Sequence, residues 1–234
     1  KGILISSDDL ININIDKVSF YYQEKQENIF TDISLNFQIK NYYNIIAPSG
    51  YGKSTLIDLI LGLQVPTKGS ITYKGSKLSF KANEIITGEF ISYVPQLNFY
   101  LDGTIKSILK SHYVGEEIQD INILTACKVA RIDKVIAKLP NGLNTFCRNN
   151  LSEFSGGQKQ RFAIAQALIN PNLRMIILDE TLSNIDKFTS KSILENIKSY
   201  YPKVGIILVT HDLSIVAENF QGVNLTNFSK DIKE

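Results

Sequence analysis

The stretch Ala47-Pro48-Ser49-Gly50-Tyr51-Gly52-Lys53-Ser54-Thr55 restricts the fold more than any other part of the chain. An apolar run, Asn44 to Ala47, precedes it, and a helix-like run, Leu56 to Leu63, follows. Strand, small-residue loop and helix in that order make a phosphate-binding loop. The glycines let backbone N–H groups turn inward around phosphate oxygens, and the start of the following helix adds its positive end. Ser49, Gly50, Gly52, Lys53, Ser54 and Thr55 are the candidate nucleotide contacts. Lys53 is expected to reach the β- and γ-phosphates, and the Ser54 hydroxyl to bind Mg²⁺. The strict pattern opens with Gly where this chain has Ala47, a residue that does not freely adopt positive φ.

Two further apolar runs, Met175 to Leu178 and Ile206 to Val209, also end at polar, chemically capable residues. Such runs suit strands buried on both faces of a parallel sheet, which bind ligands beyond their carboxyl ends. The first of them runs into Asp179 and Glu180. A strand end there brings Asp179 to the Mg²⁺ shell, and Glu180 then orients or deprotonates the attacking water. The first third of the chain reads differently. Ile11, Ile13 and Ile15 alternate with Asn12, Asn14 and Asp16, and Ile33, Leu35, Phe37 and Ile39 alternate with polar residues. Period two predicts half-buried antiparallel strands. Gly69 to Leu78 is hairpin-like, with Gly75 as its turn candidate. From about Thr104 to Leu139 the pattern is mostly helical, with a stop at Pro140-Asn141-Gly142.

Phe154-Ser155-Gly156-Gly157-Gln158 is a second small-residue loop opening a helix-like run, Lys159 to Ile169. It is either an anion site or a serine-capped helix. Two phosphate loops with one acidic strand end are both used if two chains pair head to tail, each P-loop facing the partner's Ser155 loop across the nucleotide.

Composition excludes several classes. The net charge of +2 comes with no basic stripe, so nucleic acid is not expected as a partner. The two cysteines, Cys127 and Cys147, form no CxxC pair, and histidine is scarce, so they read as free thiols and not as a zinc site. No apolar run is long enough to span a bilayer, and no signal peptide is visible. The chain opens at Lys1, and its only methionine is Met175, which suggests a piece of something longer.

Taken in order, these elements resemble the ABC-type ATPases, the nucleotide-binding domains of ATP-binding cassette transporters, over Ile11 to Phe220. The resemblance implies an α/β fold forming a single nucleotide-binding domain. It has a P-loop core with a mainly parallel sheet, an N-terminal antiparallel β-subdomain and an inserted α-helical subdomain. Core and β-subdomain fall at about 10–97 and 152–234, and the helical subdomain at about 98–151. ATP and Mg²⁺ are the implied ligands, and Lys53, Glu180 and His211 the implied catalytic residues. Tyr22 matches the aromatic residue that stacks on adenine, with Tyr21 as its rival. Gln96, in Tyr93-Val94-Pro95-Gln96, matches a glutamine that contacts Mg²⁺, so Ser54, Gln96 and Asp179 form the implied metal set. Ser155, Gly156, Gly157 and Gln158 match the signature loop, with Phe154 where Leu is usual. Asp186, in Ser183-Asn184-Ile185-Asp186, matches the loop that crosses the dimer interface, and His211 the histidine that meets the γ-phosphate.

The resemblance extends to exporters in which membrane and ATPase parts share one polypeptide, through Leu101-Asp102-Gly103-Thr104-Ile105 and Leu139-Pro140-Asn141-Gly142 with Thr145. Asn149 stands where their loop carries Glu. Ser54 to Leu63 is similar to peptide and lipid-linked glycan exporters. The implied partners are a second ATPase domain in a head-to-tail dimer and transmembrane domains, at the cytoplasmic face of a membrane. Alternatives are a free-standing ATPase subunit of an importer or multi-subunit exporter, and a soluble ABC-type ATPase. No Asn-Lys-x-Asp motif is present to read guanine.

Overall fold

The computed structural model describes residues 10–23, 28–75, 79–81, 90–113 and 117–228. Strands β1 (Leu10–Tyr21), β2 (Asn28–Gln38), β4 (Lys68–Gly75) and β5 (Ser79–Lys81) form an antiparallel sheet in the order β2-β1-β4-β5. The expected alternation is present: Ile13, Ile15, Ile33, Phe37 and Ile39 are buried, and Leu35 is half-buried. The Ile11 side chain lies outside the described set. Gly75 is the last residue of β4, and residues 76–78 of the expected hairpin also lie outside the described residues.

The second sheet is wholly parallel. It comprises β3 (Tyr42–Ile46), β6 (Ile91–Val94), β9 (Met175–Asp179), β10 (Gly205–Val209) and β11 (Phe220–Asn224), in the order β11-β3-β10-β9-β6. Successive side chains of a strand face opposite ways. On β9, Ile176 and Leu178 join one core, and Met175 and Ile177 the other. On β10, Ile206 and Leu208 are divided in the same way from Ile207 and Val209. One face packs against α1 (Lys53–Ile60) and the antiparallel sheet. The other packs against α5 (Gly156–Leu168), α6 (Lys187–Tyr200) and the segment between β6 and α5. Burial on both faces is why these strands read as unbroken apolar runs.

The segment expected to be mostly helical is divided. It holds β7 (Gly103–Thr104), α2 (Ile105–Lys110), α3 (Asp120–Val129) and α4 (Asp133–Ile136), and β8 (Phe146–Cys147) returns to pair with β7. Thr104 caps α2 by accepting from the Ser107 N–H, and Arg131, at φ 57°, separates α3 from α4. Cys127 and Cys147 are free, and burial pushes both thiols up to about 12. Among the described residues no helix is long and apolar enough to cross a membrane.

Asn44 is the exception inside β3. It is 2% exposed, and its Oδ1 has no hydrogen-bond partner among the described residues. An unpaired buried acceptor costs about 1–3 kcal/mol, and Val suits a buried strand. Asn44→Val is therefore expected to raise the urea midpoint with an unchanged slope, a gain of about 1 kcal/mol. A lowered midpoint would show that the amide is satisfied in solution.

Candidate active site

Four parallel strands deliver their following loops to one edge of the sheet: β3 the P-loop, β6 Gln96, β9 Asp179 and Glu180, and β10 His211. A cleft of about 500 Å³ opens there. Ser49, Gly50, Gly52, Lys53, Ser54 and Thr55 form one wall. Gln96, Asp179, Glu180 and His211 line the rest, together with Ile29 of β2, which sequence reasoning did not single out.

The P-loop geometry follows from its composition. Gly52 is the N-cap of α1 at φ 83°, and a Cβ there would stand 2.6 Å from Ile29 Cγ2 and 2.7 Å from Phe30 Cζ. Only glycine meets both conditions. No side chain caps α1, and no acidic residue sits in its first turn. Its first N–H groups, which lack partners within the helix, therefore face the cleft with the positive end of the dipole. Ala47 does not adopt positive φ, so its departure from glycine strains nothing at that backbone position. Its carbonyl accepts a 2.7 Å hydrogen bond from Lys53 Nζ, and the Pro48 carbonyl accepts another at 3.2 Å.

Across the cleft, His211 Nε2 stands 3.3 Å from Lys53 Nζ and 3.3 Å from Glu180 Oε1. One ring nitrogen thus lies between an ammonium and a carboxylate. Glu180 is in the left-handed region at φ 50°, and its N–H donates to the Val209 carbonyl at 2.9 Å, tying the end of β9 to the end of β10. Its Oε1 is buried and makes no well-formed hydrogen bond. Non-glycine residues rarely take this conformation, and it costs about 1–3 kcal/mol where tertiary structure enforces it.

Asp179 sits deeper. Burial raises its carboxyl pKa, against a hydrogen bond from Tyr93 and the charge of Lys53, which lower it. Tyr93 Oη donates to Asp179 Oδ2 at 3.0 Å. Burial, followed by the Asp179 charge, raises the Tyr93 phenol. Asp58 of α1 is raised by burial and by Asp179. Thr181, fully buried, donates to the Val94 carbonyl at 2.8 Å, so the loop after β9 is fastened to the strand that leads to Gln96. Tyr93 stands in the stretch that leads to Gln96 and Asp58 in the helix after the P-loop, but no local motif shows what Tyr93, Asp58 or Thr181 would touch. Their roles depend on which strands are neighbours.

The oxygen donors of Ser54, Asp179 and Gln96 all line this cleft. One carboxylate with a hydroxyl and an amide suits Mg²⁺, which takes few protein ligands and completes its shell from phosphates and water. Among the described residues there is no group of three or more His, Cys, Asp or Glu that could hold a metal ion.

Other expected site residues lie apart from the cleft. Tyr22 does not line it, but Tyr22 Oη is 3.3 Å from Thr55 Oγ1, and the ring meets Phe20 edge-on at 5.0 Å. Ser155, Gly156, Gly157, Gln158 and Asp186 do not line it either. Ser155 caps α5 in a reciprocal box: its Oγ accepts from Gln158 N–H at 3.3 Å, and Gln158 Oε1 accepts from Ser155 N–H at 2.9 Å. Asp186 caps α6 by accepting from Thr189 N–H at 2.9 Å, a bond that holds its carboxyl below the usual range. Phe154 fills the core edge-on to Phe162. Asn149, Asn150 and Leu151 all take positive φ, at 50°, 57° and 52°. Asn149 N–H donates to Asp102 Oδ1 at 2.9 Å, and Asn150 Oδ1 accepts from Tyr100 N–H at 2.7 Å, so this turn is fastened to the segment that follows Gln96.

Comparison with known proteins gives these features a setting. The family model described as ABC transporter matches residues 30–183. The lactococcin-G-processing and transport ATP-binding protein of Lactococcus lactis subsp. lactis is 35% identical over 204 residues, 87% of this chain and 28% of that protein. ABC transporter 1 of Ajellomyces capsulatus is 32% identical over 206 residues, 87% of this chain and 15% of that protein. Among solved structures, a bacterial Atm1-family ABC exporter with ATP bound superposes with a TM-score of 0.82 at 26% identity, covering 94% of this chain and 38% of that one. The chain therefore spans less than a third of the length of these two curated relatives.

The two glycines after Ser155 differ physically. A Cβ on Gly157 would stand 2.6 Å from the Asn184 carbonyl oxygen, whereas one on Gly156 would meet nothing within 4 Å. Gly157→Ala is expected to lose about 1–3 kcal/mol in urea unfolding because rigid backbone must move. Gly156→Ala should leave the midpoint close to the parent's. Equal stability for all three proteins would refute the close approach of α5 to the Asn184 loop.

Proposed function

The chain belongs to the ABC transporter family, and on that premise we propose that it binds and hydrolyses ATP to drive an exporter. The observation that carries this reading is the single cleft holding residues as distant in sequence as Ser49 and His211. ATP and water would give ADP and phosphate. In this reading the N–H groups of the P-loop and of α1 cradle the phosphates, and Lys53 turns from the Ala47 and Pro48 carbonyls to the β- and γ-phosphates. Ser54, Gln96 and Asp179 hold Mg²⁺, which supplies neutralising charge to the phosphate oxygens. Glu180 is the base: its Oε1, 3.3 Å from His211 Nε2, makes no well-formed hydrogen bond and can receive a proton from water. His211 stays beside Glu180 and Lys53 and steadies the γ-phosphoryl group as charge shifts toward the leaving oxygen.

Tyr22, next to Thr55, stacks on adenine in this reading. Ser155 to Gln158 and Asp186 serve the site of a partner in a head-to-tail dimer. Two features support that division: these residues stand outside their own chain's cleft, and Gly156 leaves open space at the head of α5. The membrane-spanning part is placed in the same polypeptide, at whose cytoplasmic face this domain works; the greater length of the relatives supports this. A groove lined by Pro95, Leu97, Phe99 and Tyr113 receives that part, beside the exposed Gln96. The cargo is of peptide or lipid-linked class. The name of the Lactococcus relative supports the peptide.

Glu180→Gln removes the base and keeps the side chain's size. Turnover, followed by phosphate release, is expected to fall about 100-fold or more. Binding of a fluorescent ATP analogue should be unchanged. Hydrolysis at the parent rate would remove Glu180 from its role.

A further inference from the structure

We infer that Tyr93 is a positioning residue for Asp179, holding one carboxylate oxygen so that the other stays turned to the cation that accompanies ATP. The inference rests on the function proposed above, since a cation matters here only if a nucleotide is the substrate.

The geometry comes from strand register. β6 and β9 are parallel neighbours, and Tyr93 lies opposite Ile177. Ile177 and Asp179 are two residues apart and share a face of β9. Two residues of strand span about 6.6 Å, a distance that a tyrosine ring can bridge and a shorter side chain cannot. Tyr93 leans along the strand direction, and its hydroxyl ends 3.0 Å from Asp179 Oδ2.

A packing role alone leaves the hydroxyl unexplained. The ring is half-buried against the core that contains Ile177, and phenylalanine would pack there equally well. The remaining demand is electrostatic. Asp179 stands near a second carboxylate, Asp58, which repels it, and near the Lys53 ammonium, which attracts it. A carboxylate in such surroundings keeps one orientation only if something fixes it. A hydrogen bond to a charged group contributes more than a neutral one. Tyr93 provides this from a strand and not from a loop, so the constraint is stiff.

The test is Tyr93→Phe, compared with the parent, with Asp179→Asn and with the double variant, in this chain. ATP binding is measured with the divalent cation chelated, and the affinity of each protein–ATP complex for Mn²⁺ is then titrated by electron paramagnetic resonance. Cation-free ATP binding should be the same for Tyr93→Phe and the parent. Mn²⁺ affinity should fall about tenfold in Tyr93→Phe, and should fall no further when Tyr93→Phe is added to Asp179→Asn. A parent-like Mn²⁺ titration in Tyr93→Phe, with ATP still bound, overturns the Tyr93 inference and leaves the ATPase reading standing. Equal, additive losses in both backgrounds also overturn it, because Tyr93 would then act without Asp179. If the parent chain binds no ATP, the proposed function falls and the inference with it.

Discussion

Parallel strands end at the same edge of their sheet, and the rest of this molecule depends on that constraint. β3, β10, β9 and β6 lie side by side, so the residues that follow them meet without any long-range design in the loops. The arrangement requires both faces of the sheet to be covered. The alternating allegiance of Met175, Ile176, Ile177 and Leu178 to two cores shows how completely that is met. Stability and site are therefore one problem here: a strand that shifted by one residue would exchange its cores and misplace its terminal carboxylate together.

Short polar ties then refine what the sheet brings close. Glu180 N–H holds the Val209 carbonyl, Thr181 holds the Val94 carbonyl, and Tyr93 holds Asp179. Each crosses from one strand end to a neighbouring one. The edge that carries the cleft is thus stitched laterally, while α1 faces it with uncapped N–H groups and α5 and α6 keep theirs engaged by Ser155 and Asp186. A positive helix end open to the cleft, opposite a carboxylate-rich strand end, is a charge arrangement suited to a bound polyanion and its counter-cation.

Much of this was legible in sequence because local chemistry wrote it there. The P-loop, the apolar runs and the carboxylates after Leu178 are contiguous signals, and their positions in the fold follow from being strand ends. The antiparallel strands were legible through period two. Tyr93 was not, because its partner is 86 residues away and only the pairing of β6 with β9 joins them. Between Thr104 and Leu139 the mostly helical pattern matches the described α2, α3 and α4, but their boundaries were not legible, since an apolar pattern records burial and not where the backbone turns. Ala47 looked like a difficulty only because the position's φ cannot be read from a sequence. A small-residue loop ahead of a helix suits an anion site and a helix cap alike, and within one chain the cap is what the Ser155 hydroxyl makes.

Leu151 has a consequence of a different kind. It stands third in a run of left-handed residues and is 1% exposed. Asparagine, like its two predecessors, would suit the backbone but bring an amide into an apolar core. Glycine would relax the backbone but empty the space the isobutyl group fills. Leucine satisfies the core and opposes its own main chain, at about 1–2 kcal/mol against about 1.5–3 kcal/mol of burial. No single residue type meets both demands, so the turn holds only while its packing holds. The shape of the connection leading into Ser155 is therefore set by the core that Leu151 enters and not by the backbone preference of its own residues.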